Sequence, residues 1–454
     1  MIDFQAIGRF NTWPVEFGRD GSILHEPQVQ ALLAGAASAT DLLLLSHGWN
    51  NDEAEASEFY KELLGNLSAR PAAGGAARRM IVMRVYWPSK RFADEDLIPG
   101  GAASAGDVAL QIVQQQIDAL LDEYDRHPEP NVDAFKLKAL QAMRALLPRL
   151  EDDVDAQADF ARLARLLMPA SVNEEEDVLR SEFDAAEGSE LLHRLSRPFR
   201  PPLLPDQGGA TGGAWPSAAE DEQGGAAGLG NLLRGAFNGA RNLLNLFTYY
   251  EMKERAGVVG RTGVADVLRR ALNARPGLRL HLCGHSFGGR LVASALASRD
   301  VQVDASTGVR SLVLLQAAFS HNGFGVLFDG RRNGFFRSAF EANRLNGPVV
   351  ITHTERDRAV GLAYPIASRL RNQVASGLGD PKDPYGAIGR NGALFAPAEV
   401  DRVETTLREV DQSYAPFQAG RIYNLHGGSF ITGHSAVRGP QVAHALRHAL
   451  DAVL

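Results

Sequence analysis

Cysteine is almost missing from this chain of 454 residues, which contains only Cys283. A single thiol cannot form an internal disulfide, so the fold cannot depend on the disulfide frameworks that stabilise small secreted domains. This composition is typical of a reducing compartment. Because Cys283 ends a segment with the pattern of a strand, we interpret it as a small buried side chain.

Long apolar runs and an excess of basic charge are also missing. No stretch reaches the roughly 18 uninterrupted apolar residues of a membrane span. Residues 1–18 lack the basic segment and apolar run of a signal peptide. The net charge of -7 gives no general attraction for nucleic acid or anionic membranes. We therefore expect a cytoplasmic protein, with signal-free export left open, that binds no nucleic acid and contacts membranes at most interfacially.

The most informative stretch covers residues 278–297. Leucines alternate with other residues up to Cys283, the period of a strand, and apolar residues recur at helical spacing from Gly289 onward. Between these segments, residues 284–288 read GHSFG, a G-x-S-x-G sequence. Because its glycines permit a very tight turn, the pattern predicts that the hydroxyl of Ser286 lies above a sheet edge, at the start of a helix.

The local sequence LCGHSFGGRLV resembles the nucleophile elbow of lipases and esterases in the α/β-hydrolase superfamily. The resemblance covers residues 38–90 and 245–454. It implies an α/β fold with a mostly parallel sheet, Ser286 as the nucleophile, and the backbone N–H of Phe287 as a donor to the oxyanion. It also implies that the acid and then the histidine follow the serine along the chain.

A second match to this superfamily comes earlier in the chain. The apolar run within residues 41–46 predicts a strand buried on both faces, and the sequence HGWN follows it. In lipases and esterases of the superfamily, an HG pair at this point carries the second oxyanion donor. The resemblance places that donor on the backbone N–H of Trp49, with Gly48 allowing the main chain to approach closely.

The catalytic acid is sought in the loops after later strands, because open α/β sheets place their sites at the carboxyl ends of the strands. The strand predicted at 309–316 has no carboxylate at its end. The strand predicted at 348–352 is followed by HTERDRAVG, which resembles the superfamily's acid loop. We favour Asp357 there, with Glu355 as the alternative. Capping of a following helix is the purely structural interpretation of Asp357.

Two histidines near the last predicted strand, 421–425, compete for the role of base. We favour His434 because GHS before a terminal helix resembles the loop that carries the base in these enzymes, whereas His426 lies directly at the strand end. His444 and His448 are four residues apart, but two ligands without a third are weak evidence for a metal. We interpret them as surface histidines, and the implied mechanism needs neither cofactor nor metal.

The domain organisation follows from a break in the α/β pattern. Residues 91–223 carry no convincing strand, show several segments with helical spacing, and end in a Pro-rich and then Gly/Ala-rich stretch. We therefore expect a hydrolase core in two parts, 1–90 and 224–454, with an inserted helical cap and its linker at 91–223. The Gly/Ala-rich stretch, residues 206–227, is either a lid hinge or a disordered loop.

Two further segments leave alternatives open. Residues 229–247 have an apolar helical face, and their arginines and asparagines favour packing on the protein's own core over a membrane helix, with interfacial lipid binding as the minority interpretation. The phenylalanines within 319–336 suit either an acyl-binding wall or ordinary packing. No role is assigned to residues 248–260.

Together these patterns predict an esterase or lipase, a serine hydrolase that cleaves a small-molecule or lipid ester through an acyl-enzyme. His434 takes the proton of Ser286, and Asp357 holds the imidazole. The same triad cleaves thioesters and amides, so a thioesterase or a peptidase is an alternative. A non-catalytic interaction protein with a hydrolase fold is the second class considered.

Overall fold

The fold is an α/β structure organised around one mostly parallel sheet. The computed structural model describes residues 4–70, 78–89, 106–126, 133–169, 186–196, 235–298, 308–341, 344–357, 359–360 and 386–452. The expectation for residues 206–227 falls outside these ranges.

The described sheet has nine strands in the order β1-β2-β4-β3-β5-β6-β7-β9-β8. They are β1 (Gln5–Ile7), β2 (Phe10–Glu16), β3 (Asp41–Ser46), β4 (Met80–Tyr86), β5 (Arg279–His285), β6 (Val309–Leu315), β7 (Val349–His353), β8 (Asp401–Thr406) and β9 (Arg421–His426). Strands β1 and β2 pair antiparallel, and the other neighbouring pairs are parallel. The carboxyl ends of the central strands therefore meet at one sheet edge, where open α/β sheets bind ligands.

Helices connect these strands and also form a unit of their own. The α-helices of the described residues are α1 (Glu26–Ala36), α2 (Glu53–Ser68), α3 (Gly106–Arg126), α4 (Asp133–Leu146), α5 (Val154–Leu167), α6 (Gly188–Ser196), α7 (Ala236–Val259), α8 (Ala265–Ala274), α9 (Phe287–Ala297), α10 (Ile388–Asn391) and α11 (Pro440–Asp451). No helix in these ranges has the length and apolar character needed to cross a membrane.

The core lies on both faces of the sheet, as the leucine run of β3 shows. Leu42 and Leu44 pack in one hydrophobic cluster, and Leu43 and Leu45 pack in another. Successive side chains of a strand point to opposite faces, so a strand covered on both sides needs apolar residues at every position. The prediction of a fully buried strand at 41–46 is confirmed.

A third hydrophobic cluster joins helices α3 to α6 with the first half of α7, and we call this part the helical unit. The described part of the predicted helical face, from Ala236 to Phe247, is buried here. Gly239 permits the closest contact, because a Cβ at this position would lie 2.2 Å from the backbone oxygen of Leu192 in α6. Farther along α7, Met252 and Val259 join the core cluster beside the sheet. One continuous helix therefore belongs to both parts of the molecule.

A buried arginine fixes this junction. Arg255 of α7 donates hydrogen bonds at 2.7 Å to the carbonyl of Pro88, just after β4, and at 2.7 Å to Glu123 of α3. Its guanidinium also lies 3.4 Å from Glu251, one turn earlier on α7. Because a buried charge is tolerated only when it is paired and hydrogen-bonded, these contacts tie the helical unit to the sheet at a defined place.

Candidate active site

Ser286 lies at the abrupt turn between β5 and α9, with φ 56° and ψ -125°. A serine at the start of a helix usually has an extended backbone and caps the helix with its hydroxyl. Here the Ser286 side chain makes no capping hydrogen bond. Crowding explains the glycines of the motif, since a Cβ on Gly284 would lie 2.2 Å from the oxygen of Gly288. The turn therefore holds the serine in a strained conformation and leaves its hydroxyl unused by the helix.

The HG loop after β3 passes directly against this serine. A Cβ on Gly48 would lie 2.7 Å from the Cβ of Ser286, and a Cβ on Gly288 would lie 2.3 Å from the oxygen of His47. His47 is buried and stacks on Trp87, whose backbone N–H donates to its Nε2 at 3.3 Å. Burial lowers the pKa of His47 to about 4, so the neutral ring supports the loop as an uncharged group.

The two residues proposed as oxyanion donors also meet through their side chains. The ring centroids of Trp49 and Phe287 are 5.8 Å apart, and Tyr249 of α7 packs on them at 6.2 and 5.2 Å. Tyr249 lies in the segment 248–260, to which no role could be assigned from sequence alone. The segment links the helical unit to the loops around Ser286.

Alanine at position 48 tests this close approach. We expect Gly48→Ala to lower kcat for an ester substrate by about 10²–10³-fold, the cost of losing one oxyanion donor, because the added methyl group must push the loop away from Ser286. The matched control is Gly65→Ala on the exposed face of α2, where an added Cβ meets nothing within 4 Å. That variant is expected to keep full activity and to gain about 0.5–1 kcal/mol of stability. Equal activity of both variants would contradict the proposed role of the HG loop.

Asp357 and His434, 77 residues apart, form a direct pair with 2.8 Å between Oδ2 and Nδ1. Asp357 is fully buried, and its Oδ1 accepts from the backbone N–H groups of Ala359 and Val360 at 3.1 Å each. A carboxylate only accepts hydrogen bonds, so Nδ1 of His434 is the donor, and in the neutral form of this ring Nε2 carries the lone pair. Oδ2 of Asp357 thus orients His434. Oδ1 accepts from the backbone N–H groups that follow Asp357, as the capping interpretation expects.

His285 joins this pair to the turn that carries the serine. Its Nε2 donates at 2.9 Å to the backbone oxygen of His434, and the two rings lie 4.7 Å apart. Burial, followed by the neighbouring His434, lowers the pKa of His285 well below its usual range. The ring is therefore neutral and can act as a donor. This contact connects the loop of His434 to the residue immediately before Ser286.

The alternative acid and the alternative base pair with each other. Glu355 and His426 form a contact of 2.8 Å, and their side chains are 54% and 36% exposed. The hydrogen bond from His426 lowers the pKa of Glu355. The structure thus groups the buried Asp357 with the partly buried His434, and Glu355 with His426 in a separate, solvent-exposed pair.

The interpretation of His444 as a surface residue is wrong. His444 is buried, its Nε2 donates to the oxygen of Gln412 at 2.8 Å, and its ring lies 5.4 Å from that of Tyr414. The segment before β9 covers this face of α11, which the spacing of the helix residues alone does not reveal. Within the described ranges, no group of three or more possible ligands could hold a metal.

Cys283 and three of the phenylalanines after β6 are buried in the core. Burial raises the pKa of the Cys283 thiol, which keeps it protonated and unreactive. Phe319, Phe324 and Phe336 are buried in the core and contact one another, with the rings of Phe319 and Phe336 4.7 Å apart. Phe328 and Phe335 are half-buried.

A second group with the same residue types lies near the amino ends of the strands. Ser311 Oγ lies 2.8 Å from Nδ1 of His281, whose Nε2 lies 3.0 Å from Asp41. All three side chains are fully buried. Without access for a substrate, this group cannot perform a nucleophilic reaction, and it offers an internal comparison for the site at Ser286.

Three residues that contact the site were not identified from the sequence, namely His285, Tyr249 and Gln316. Gln316 directly follows β6, and its Nε2 donates to Asp357 at 3.1 Å. A polar residue at the end of an apolar strand was the available signal, but our search of that strand end considered only carboxylates. Comparison of the chain with protein-family models, curated proteins and solved structures found no match.

Proposed function

We propose that the protein is a serine hydrolase of the α/β-hydrolase superfamily that cleaves carboxylic esters through an acyl-enzyme intermediate. The observation that carries this proposal is the hydrogen bond between the buried Asp357 and the partly buried His434, tied by His285 to the strained turn of Ser286. Ser286, Asp357 and His434 lie in the segments that follow β5, β7 and β9, at the carboxyl ends of these parallel strands. The inserted helical unit corresponds to the cap of such enzymes.

In the proposed mechanism, Nε2 of His434 takes the proton of Ser286 as the hydroxyl oxygen attacks the substrate carbonyl. Asp357 keeps Nδ1 protonated and stabilises the imidazolium that forms. The backbone N–H groups of Trp49 and Phe287 donate to the oxyanion. His434 then gives its proton to the leaving alcohol, and a water molecule, activated by the same ring, hydrolyses the acyl-enzyme.

A fluorophosphonate probe tests this proposal directly, because it reacts only with a serine that an adjacent base has activated. We expect the native protein to be labelled at Ser286, as located by mass spectrometry of its peptides, and the heat-denatured protein to remain unlabelled. Ser311 provides the comparison within the same chain, since its hydroxyl lies 2.8 Å from Nδ1 of His281 but its side chain is fully buried, whereas Ser286 is 5% exposed. Absence of labelling would favour the non-catalytic interaction protein.

The bond that is cleaved requires a separate experiment. A series of p-nitrophenyl esters with increasing chain length should be compared with acyl-CoA and peptide substrates at equal enzyme concentration. The proposal expects the highest kcat/KM among the esters. A higher value for acyl-CoA or for peptides would identify a thioesterase or a peptidase that uses the same three residues.

A further inference from the structure

Gln316 occupies an unusual position directly beside the acid of the proposed triad. It is fully buried, and its backbone has φ 46°, a left-handed conformation that side chains other than glycine adopt infrequently. Its Nε2 donates to Oδ2 of Asp357 at 3.1 Å and to the backbone oxygen of Gly389 at 3.0 Å. Oδ2 is the same oxygen that accepts from His434. Gln316 and His434 therefore share one acceptor atom.

The orientation of the Gln316 amide follows from its neighbours. Both groups within reach, the carboxylate of Asp357 and the carbonyl of Gly389, are acceptors, so the NH₂ end must face them. The opposite end, Oε1, is buried without a hydrogen-bond partner among the described residues. Gln316 thus combines a buried oxygen that has no partner among the described residues with a left-handed backbone. Both features are unfavourable, and they occur where the two N–H groups of the amide donate to defined atoms. Such a local cost at a candidate site is an indication of function.

We propose that Gln316 is a positioning residue of the hydrolase, one that sets the rotation of the Asp357 carboxylate and thereby the direction of its hydrogen bond to His434. This inference rests on the proposed function. The carboxylate has one oxygen held by the backbone N–H groups of Ala359 and Val360. Gln316 fixes the other oxygen from the side of β6, so that His434 meets an acceptor that cannot rotate away.

The experiment compares three substitutions at this position by two measurements. Gln316→Leu removes both N–H donors and leaves a side chain of similar size. Gln316→Glu replaces the amide with a carboxylate that repels Asp357. Gln316→Asn keeps the amide on a shorter side chain. The first measurement is kcat and KM with a p-nitrophenyl ester. The second is the low-field proton NMR resonance of the His434 ring N–H, assigned by its absence in His434→Ala.

We expect Gln316→Leu and Gln316→Glu to lower kcat by about 10- to 100-fold with little change in KM, the usual scale for a misplaced catalytic group. The low-field resonance should move or broaden in both variants, and Gln316→Asn should recover part of the kcat. The matched control is Gln116→Leu in the helical unit. Gln116 is also buried, donates to Asn245 and has an Oε1 without a hydrogen-bond partner in the described part of the chain, so the same loss of a buried amide occurs there.

The possible outcomes separate this inference from the proposed function. If Gln316→Leu keeps both the kcat and the resonance of the unmodified protein, Gln316 does not position Asp357. The same conclusion follows if kcat falls while the resonance is unchanged, or falls equally in Gln116→Leu, because the loss then reflects general destabilisation. Failure of the proposed function is recognised independently, by an unmodified protein that neither reacts with a fluorophosphonate nor cleaves esters.

Discussion

Replacing Ser286 with alanine is expected to lower kcat for an ester substrate by about a million-fold, the scale observed when the nucleophile of a serine hydrolase triad is removed. KM should change little, because the hydroxyl oxygen forms its bond during the reaction and contributes little to substrate binding. Steady-state kinetics and fluorophosphonate labelling provide the measurement. The fold should persist, since the Ser286 side chain makes no capping hydrogen bond in α9.

The control for this prediction is Ser311→Ala. The hydroxyl of Ser311 lies 2.8 Å from Nδ1 of His281, whose Nε2 lies 3.0 Å from Asp41, but these side chains are fully buried near the amino ends of the strands. Its removal leaves Nδ1 of His281 without a donor, which should cost about 1–3 kcal/mol of stability without affecting kcat. If Ser311→Ala abolished labelling and Ser286→Ala did not, the proposed site would be wrong.

Much of the architecture could be predicted because its signals are local. The leucine run of β3 and the strand, turn and helix around Ser286 are encoded by neighbouring residues, through apolar periodicity and the glycines that relieve crowding. The pairing of Asp357 with His434 is not local, since the two residues are 77 positions apart. Choosing them relied on the order serine, acid, histidine along the chain and on the resemblance of their flanking loops, whereas periodicity alone gave no preference over Glu355 and His426.

The strands that were not predicted from the sequence are the first or last strands of the sheet, or lie next to them. In the described sheet, β8 is the terminal strand and pairs only with β9, so its residues DRVETT are largely exposed and lack the apolar alternation on which a sequence analysis depends. β2 contains Pro14, a residue that argues against a strand within a sheet. Prediction therefore succeeded where burial imposes a pattern and failed where solvent or an atypical residue removes it.

The contacts of Gln316 and Tyr249 show a second limit. Neither residue belongs to a recognisable motif, and both acquire a role only through partners far along the chain. Gln316 meets Asp357 because β6 and β7 are adjacent in the sheet, and Tyr249 meets Trp49 because α7 leaves the helical unit beside the HG loop. Residues that support a site from neighbouring elements need the tertiary structure before they can be identified.

The largest effect on stability is expected from Asp41→Ala, at the amino end of β3. The Asp41 carboxylate is fully buried and accepts from Arg279, Arg78, His281 and Thr40 at distances between 2.6 and 3.0 Å. Removing it leaves the buried Arg78 guanidinium without this partner and also deprives the partly exposed Arg279 of its contact. We expect the free energy of unfolding at pH 7 to fall by about 3–5 kcal/mol, as measured by urea denaturation.

The pH dependence of this loss follows from the direction of the Asp41 pKa shift. Burial alone would raise the pKa of the carboxyl, but the hydrogen bonds from His281, Arg279 and Thr40 and the charge of Arg78 outweigh burial and hold the pKa well below its usual range. A carboxyl with a lowered pKa in the folded state contributes stability above its unfolded pKa of about 4, and this contribution is lost as the pH falls below that value. The difference between the unmodified protein and Asp41→Ala should therefore shrink below pH 4.

The edge strand β8 supplies the matched comparison. Asp401 begins β8 opposite Arg421 of β9, just as Asp41 begins β3 opposite Arg279 of β5. The side chain of Asp401 is 70% exposed and lies 3.4 Å from Arg421. Water already solvates both charges there, so Asp401→Ala should cost less than about 1 kcal/mol at any pH. Equal losses of stability at the two positions would show that the ion pair between the first residues of neighbouring parallel strands matters more than the burial of that pair. A loss confined to Asp41 would show that the fold depends on the buried charge being fully paired.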